Sequence, residues 1–288
     1  MSHLERFAPS PTGPLHLGHA FSAITAWNNA IEAGGDFLLR LEDIDQSRAR
    51  PEWEAQIFDD LTWLGLRWPV PVLRQSQRLN AYCAALNTLW ARGLLYPCIC
   101  TRRDIQDAAR APQEGAPLLG PDGVIYPGTC RKAPKGGLPT DVALRLDLRR
   151  ACDALPSQSL SFNETGPLHP EANKSAASLI TKAGDIVLAR KDMGTSYHLA
   201  VVLDDAFQNI THVTRGQDLI DATPIHVLLQ RLLNLPTPTY HHHDLIRDSA
   251  GKRLAKRDDA KAIRTFRNDG ATPDDVYEMI GAKPLARA

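Results

Sequence analysis

The chain has 288 residues, 43% of them hydrophobic, with 33 Lys plus Arg against 33 Asp plus Glu. This length and apolar content exclude a disordered chain and suit one large domain, or one domain with a small insert. The charge balance excludes nucleic-acid binding through overall charge, so such a partner needs a local basic patch.

The first predicted element is a strand ending near Arg6-Phe7, followed by Ala8-Pro9-Ser10-Pro11-Thr12-Gly13-Pro14, which three prolines and a glycine keep irregular. A helix is expected over 17–33, stopped by Gly34-Gly35. His16 and His19 then fall on its first turn and share a face, beside unpaired backbone N–H groups and the positive end of the helix dipole. Gly18 between them leaves room for a planar base or ribose against the backbone. On spacing alone the pair suits either an anion site or two surface histidines of an ordinary helix.

Gly35-Asp36-Phe37-Leu38-Leu39-Arg40-Leu41 has strand length and delivers Glu42-Asp43-Ile44-Asp45 to the C-terminal edge of a parallel sheet, where such sheets hold ligands. Pro51 opens a helix with Trp53, Ile57, Leu61 and Leu64 on one face. A second amphipathic helix is expected over 76–92, with Cys83 joining Leu79, Tyr82, Leu86 and Leu89 on a core face. Residues 1–97 thus read as β-α-β with helical cover.

Residues 98–137 are rich in Pro and Gly and need a staple, because they lack the apolar content for a core of their own. Cys98, Cys100 and Cys130 suit Zn²⁺, which leaves a fourth tetrahedral position for another ligand. Reduced cysteines without metal are the competing reading on spacing alone. Five cysteines are an odd number and oppose a disulfide framework, and Cys152 reads as a plain thiol.

Strands are expected over 141–147 and 185–190, with an uninformative segment between them. Tyr240-His241-His242-His243-Asp244 precedes strand-like Leu245-Ile246, and alternation sets His241 and His243 on one face and His242 on the other, a structural pattern rather than a metal site. From Arg247 to Arg267 eight basic residues (Arg247, Lys252, Arg253, Lys256, Arg257, Lys261, Arg264, Arg267) face three acidic ones, either a solvated face or a binding patch. Two short helices are expected in the tail. No apolar run approaches the ~18 to 20 residues of a membrane span. Met1-Ser2-His3-Leu4-Glu5-Arg6 is no signal peptide, so a cytoplasmic location is expected.

Arg6-Phe7-Ala8-Pro9-Ser10-Pro11-Thr12-Gly13-Pro14-Leu15-His16-Leu17-Gly18-His19 resembles, nearly residue for residue, the first signature of class I aminoacyl-tRNA synthetases in their glutamate-specific branch. The "HIGH" element of that family is here His16-Leu17-Gly18-His19. The resemblance covers residues 4 to about 268. It implies an α/β fold, a class I synthetase Rossmann-like parallel sheet with a small zinc-binding insert and a short helical C-terminal tail. The implied divisions are 1–97 and 138–259 for the two halves of the catalytic domain, 98–137 for the insert and 260–288 for the tail.

The resemblance further implies an L-glutamate pocket at Arg6, Phe7, Ala8, Pro9, Ser10, Glu42, Tyr197 and Arg215. That set is chemically sensible: Arg6 and Arg215 offer guanidiniums to two carboxylates, Glu42 a carboxylate to the amine, and Tyr197 and Ser10 neutral hydrogen bonds. Gly251-Lys252-Arg253-Leu254-Ala255-Lys256-Arg257 falls where the family's second signature, the "KMSKS" loop, belongs. Arg253 stands for its first lysine and Ala255 for its serine, while Lys256, the lysine that meets the triphosphate, is retained. ATP would be bound by His16, Gly18, His19 and Lys256, with His16, His19 and Lys256 carrying the catalysis.

In short members of the family the remaining zinc ligands are a tyrosine and a cysteine four residues on, which Tyr126 and Cys130 match, giving Cys98, Cys100, Tyr126 and Cys130. A phenol with a pKa near ~10 ligates only where the metal displaces its proton.

The implied activity is activation of L-glutamate with ATP and Mg²⁺, without tRNA. No long helical anticodon-binding region follows the catalytic residues, as in stand-alone members, which esterify glutamate onto queuosine in the anticodon of tRNA(Asp). A monomer is expected. Three other readings are an ordinary glutamyl-tRNA synthetase, a non-catalytic relative that binds glutamate or nucleotide, and a zinc-dependent nucleic-acid-binding module.

Overall fold

In the computed structural model, which describes residues 2–110, 119–133, 135–167, 173–246 and 261–285, the chain opens as strand, helix, strand. β1 (Leu4–Phe7), α1 (Leu17–Glu32) and β2 (Asp36–Leu41) form one unit, the strands parallel with Leu4 opposite Asp36 and Phe7 opposite Leu39. Parallel pairing needs a crossover, which α1 supplies, and its buried Ala20, Ala23, Ile24, Trp27 and Ala30 follow helical spacing. Gly34 ends the helix at a φ of +65°, the left-handed region that glycine enters without strain. A Cβ at Gly35 would lie 2.1 Å from the His3 carbonyl oxygen, so the turn into β2 admits no side chain.

Pro51 starts α2 (Pro51–Trp63), and β3 (Leu73–Arg74) extends the parallel sheet outside β2. A 3₁₀ turn over Gln75–Arg78 replaces the start of the helix expected from 76, leaving α3 (Leu79–Ala91). Cys83 corrects an expectation: it is exposed rather than core. The buried stripe of α3 runs through Tyr82, Ala85, Leu86, Leu89 and Trp90, and Cys83, one residue round from Tyr82, turns outward with Leu79.

β4 (Leu95–Cys98) leads into the insert, built from α4 (Arg102–Arg110) and a two-residue hairpin of β5 (Leu119–Gly120) and β6 (Gly123–Val124). The chain returns on β7 (Ala143–Leu146), antiparallel to β4. The segment that reads as featureless holds α5 (Leu148–Asp153), β8 (Ser159–Ser161), β9 (Asn173–Ser175) and α6 (Ala176–Ala183). β10 (Val187–Ala189) pairs antiparallel on the other side of β7.

α7 (Tyr197–Phe207) and α8 (Thr223–Leu232) then flank the parallel pair β11 (His212–Gly216) and β12 (Thr239–His243). Beside β1, the Thr211 N–H donates to the Leu4 carbonyl at 3.0 Å and the Thr214 N–H to the Glu5 carboxylate at 3.2 Å, so β11 joins the two halves. The histidine run is itself a strand, and Leu245-Ile246 lies beyond its end. His242 is buried and His241 half-buried as alternation requires, but His243, at the strand end, is buried as well.

Among the described residues two large core clusters form, beside a small one of Tyr96, Cys98 and Tyr126 at the insert. One joins Phe7, Leu15, Ile24, Leu39 and Leu61 to Ile263, Val276 and Tyr277 of the tail, whose helices are α9 (Ile263–Asn268) and α10 (Pro273–Met279). The other joins α3 to residues such as Leu146, Leu188, Leu199 and Leu228. The tail is thus packed into the first half of the chain, and α3 into the second. Among the described residues no helix is long and apolar enough to cross a membrane.

Candidate active site and cysteine cluster

The strand ends that lead into the Ala8–Pro14 loop, Glu42, Gly216 and His243 all lie at the C-terminal edge of the parallel strands, where open α/β sheets bind ligands. His16 is the N-cap of α1. Its Nδ1 accepts from the Gly18 N–H at 3.1 Å, while Nδ1 of His19 accepts from the His16 N–H at 3.2 Å. The rings stack with centroids 3.8 Å apart. An imidazole serves as cap only through its bare nitrogen, so both rings carry the proton on Nε2. Two neutral N–H donors thus stand at the positive end of the helix dipole, an arrangement suited to phosphate.

A cavity of about 210 Å³ has Ser10, Glu42 and Tyr197 in its wall together with Thr12, Gln75 and Arg190, while Arg6, His16, His19 and Arg215 are not among the residues that line it. Arg215, Glu42 and Arg6 all act electrostatically on the Tyr197 phenol, whose pKa burial raises. Phe7 and Pro9 are buried at the base of the loop, where the Glu42 N–H donates to the Pro9 carbonyl at 3.0 Å. Ala8 is half-buried.

The two arginines are held differently. Arg6 donates Nε and Nη2 to Asp205 at 2.9 and 3.2 Å. Arg40 reaches the same carboxylate at 2.7 Å, Gln208 at 3.0 Å and Glu42 at 3.2 Å. Burial works against the Arg6 charge, and Asp205 more than restores it. Burial likewise opposes the Asp205 charge, yet Arg6 and Arg40 hold its pKa below 3.8. Burial lifts Glu42 above its ordinary value against the pull of Arg40. Two cations and two carboxylates make this group neutral as a whole.

Arg215 donates instead to His242 Nε2 at 3.1 Å, His226 Nδ1 at 3.1 Å, Thr223 Oγ1 at 2.7 Å and the Leu219 carbonyl at 3.4 Å. Among the described residues no carboxylate bonds to it. Burial and the Arg215 charge hold His226 well below its ordinary pKa, so it is neutral.

Arg40, Asp205 and His226 are site residues without a counterpart in the sequence reading, and His242, which reads there as part of a structural strand pattern, bonds to Arg215 as well. A lone arginine within the apolar run Phe37–Leu41 was the available signal, because a buried charge requires a partner.

Lys252, Arg253, Ala255 and Lys256 lie outside the described residues, but the flanks of that segment are anchored beside the first signature. His243 Nε2 meets the Ser22 hydroxyl of α1 at 2.8 Å, and the Ile263 N–H donates to the Leu15 carbonyl at 2.9 Å, with Ala262 bridged to His16. Of the basic stretch, Lys261 pairs with Asp269, while Arg264 and Arg267 reach Asp59 at 3.5 and 2.9 Å. This described part is an ion-paired surface.

In the insert, Sγ of Cys98, Cys100 and Cys130 lie within 4.8 Å of one another, with Cys100 and Cys130 at 3.4 Å. The Tyr126 hydroxyl lies 3.5 Å from Cys98 Sγ and 3.4 Å from Cys100 Sγ. Thiolates on a tetrahedral Zn²⁺ at ~2.3 Å stand roughly 3.8 Å apart, a value that the separations here, 3.4 Å for one pair and at most 4.8 Å for the others, bracket. Arg145 donates to Cys98 Sγ at 3.3 Å and lies over the Tyr126 ring at 3.9 Å, which favours negative charge on the cluster. Cys152, by contrast, is fully buried among apolar side chains, and burial pushes its thiol up to about 11.

The model for the catalytic domain of class I tRNA synthetases (E and Q) matches residues 4–118 and 175–282. A glutamyl-Q tRNA(Asp) synthetase of Rhodobacter capsulatus is 60% identical over 284 residues, covering 96% of this chain and 99% of that protein. One from Thiobacillus denitrificans is 44% identical over 279 residues, covering 97% and 85%. The crystal structure of a glutamate tRNA ligase from Elizabethkingia meningosepticum, in complex with its amino acid, superposes with a TM-score of 0.73 at 25% identity. It is matched over 97% of this chain, which spans 60% of that structure's length. The chain belongs to the class I tRNA synthetases of the E and Q type and, within them, to the glutamyl-Q tRNA(Asp) synthetase family.

Proposed function

We propose that the protein is an ATP-dependent ligase that activates L-glutamate without tRNA and transfers it to queuosine in the anticodon of tRNA(Asp). The observation that carries this reading is the 60% identity with the Rhodobacter capsulatus glutamyl-Q tRNA(Asp) synthetase, over 99% of its length. The geometry agrees with it. Arg215, whose charge no adjacent carboxylate among the described residues cancels, is suited to a substrate carboxylate, and Glu42, Tyr197 and Ser10 line a cavity.

In this proposal Arg215 and Arg6 orient the glutamate carboxylates, Glu42 takes the ammonium, and Phe7, Ala8 and Pro9 shape the pocket floor. The α-carboxylate attacks the α-phosphate of ATP, releasing pyrophosphate and leaving glutamyl-adenylate. His16 and His19 donate from Nε2 to the phosphates, Gly18 leaves room for the nucleoside, and Lys256 meets the triphosphate. Mg²⁺ arrives with ATP and offsets phosphate charge. A hydroxyl of the queuosine cyclopentenediol then attacks the activated carbonyl and AMP leaves. No side chain acts as a nucleophile.

Cys98, Cys100, Tyr126 and Cys130 would hold Zn²⁺, which staples an insert with little core of its own. The protein is proposed to work as a monomer in the cytoplasm, with 98–137 as the insert and 260–288 as a helical tail of the catalytic domain.

The test is labelled glutamate, ATP and tRNA(Asp) with and without queuosine. An alkali-labile ester on the queuosine-containing tRNA alone is expected, preceded by glutamate-dependent ATP–pyrophosphate exchange without tRNA. Label at the 3′ end of tRNA(Glu), indifferent to queuosine, would instead assign an ordinary synthetase. His19→Ala should cost exchange ~2 to 4 kcal/mol of transition-state stabilisation.

A further inference from the structure

Arg215 is the end of a chain of hydrogen bonds that starts on β11 and surfaces in the insert. A guanidinium only donates, so the bond from Arg215 Nη1 requires a bare Nδ1 on His226. His226 is buried and neutral and therefore carries its proton on Nε2, which lies 3.0 Å from His198 Nδ1. His198 must accept there, and its own proton falls on Nε2, 2.9 Å from Asp122 Oδ1. Each bond thus has one allowed direction, from Arg215 outward to Asp122. The second arm obeys the same rule: Arg215 Nε donates to His242 Nε2, and His242 Nδ1 donates to Glu164 Oε2 at 2.6 Å.

Asp122 sits in the turn of the β5–β6 hairpin, and that hairpin is seated rather than loose. A Cβ at Gly120 would lie 2.5 Å from the Lys182 carbonyl oxygen, and one at Gly184 would lie 2.7 Å from Ile125 Cγ2. Only hydrogen at both positions permits this approach. The relay imidazoles also pack near the cavity wall, since the ring of Tyr197, which lines it, lies 5.5 Å from His198 and 5.6 Å from His226.

Resting on the function proposed above, we propose that Asp122 is a positioning residue for glutamate recognition. Through His198 and His226 it sets the proton direction that keeps Arg215 aimed at the substrate while leaving its charge uncancelled. Two imidazoles separate that carboxylate from the guanidinium. A carboxylate placed directly on Arg215 would compete with the substrate, whereas a neutral relay fixes the side chain and leaves the charge available.

The side chain of Asp122 is 49% exposed, so substitutions there test direction without opening the core. Asp122→Asn keeps an acceptor and should leave the glutamate KM within ~2-fold; Asp122→Ala removes the acceptor and should raise it ~5-fold. Asp122→Lys donates, reverses both imidazoles and turns an N–H of His226 against Arg215, and should raise it ~20-fold or more. The ATP KM, kcat and Tm should stay nearly constant throughout. In ¹⁵N NMR of the histidine side chains, His198 and His226 should carry their protons on Nε2 and His242 on Nδ1. A glutamate KM unmoved by Asp122→Lys, an equal rise in the ATP KM, or His198 protonated on Nδ1 would each overturn the relay. The NMR signature needs no turnover, so a wild-type protein lacking glutamate-dependent exchange would count against the functional reading separately.

Discussion

On the wall built from β1, β2 and α7, Arg6 and Arg40 share the Asp205 carboxylate, and Glu42 completes a group with no net charge. On the wall built from β11, α8 and β12, Arg215 rests on two imidazoles and a hydroxyl. Arg6 and Arg215 are buried, at 5% and 6% exposure, so the environments differ in compensation and not in depth. The first arrangement holds the fold together. The second tolerates a poorly compensated charge, which costs stability and preserves attraction for an arriving carboxylate.

The largest effect should come from the shared carboxylate. Asp205→Ala would leave two buried guanidiniums facing one another and should cost ~3 to 5 kcal/mol in urea unfolding. A loss below ~1 kcal/mol would mean that the β1 wall is not held by this charge pair. Arg215→Ala should tilt the other way, lowering kcat/KM for glutamate by ~2 to 4 kcal/mol while costing less in urea unfolding than Asp205→Ala, since the acceptors it leaves unpaired, at His226, His242 and Thr223, are neutral groups and not a charged partner. A matching fall in ATP affinity would assign Arg215 to the nucleotide instead.

The insert reaches the Arg215 wall, so the zinc proposed for it sharpens the contrast. Zinc analysis should find about one ion per chain. Cys98→Ser and Cys130→Ser should remove it, and Cys83→Ser and Cys152→Ser should not; full zinc content in Cys130→Ser would dismantle the assigned cluster.

The smallest effect separates the walls by pH. Asp205 has a folded pKa below its unfolded 3.8, so its contribution is complete above that pH and is lost as pH falls through the lower folded value. His226 has a folded pKa well below 6.5. The unfolded chain therefore takes up a proton first, and stability falls as pH drops below 6.5, by at most about 1.4 kcal/mol per pH unit. Unfolding free energy between pH 7 and 5 should therefore carry the His226 contribution and none from Asp205, whose loss lies below 3.8. His226→Gln should flatten that slope, and an unchanged slope would assign it to other histidines.

The parallel β-α-β opening was legible because each signal is local: prolines and a glycine interrupt the chain before α1, apolar residues recur at helical spacing, and Gly34-Gly35 terminates the helix. The same held for the paired tail helices and for the three cysteines, which the fold brings within 4.8 Å. Cys83 went the other way because two aromatic side chains, Tyr82 and Trp90, set the rotation of α3, and its neighbours alone do not show which stripe wins. Residues 148–183 read as featureless because their short elements draw stability from tertiary contacts rather than from a long periodic pattern.

By itself the sequence determined the loop and helix that place His16 and His19, the cysteine spacing, and the residue types of the pocket. Only the tertiary structure decided what each charge is worth. Arg6 meets Asp205 across 199 residues, Arg215 reaches neutral imidazoles at 226 and 242, and Asp122 arrives from the insert. The physical reason is that electrostatic energy depends on distance and burial, which the chain acquires only when remote segments pack together.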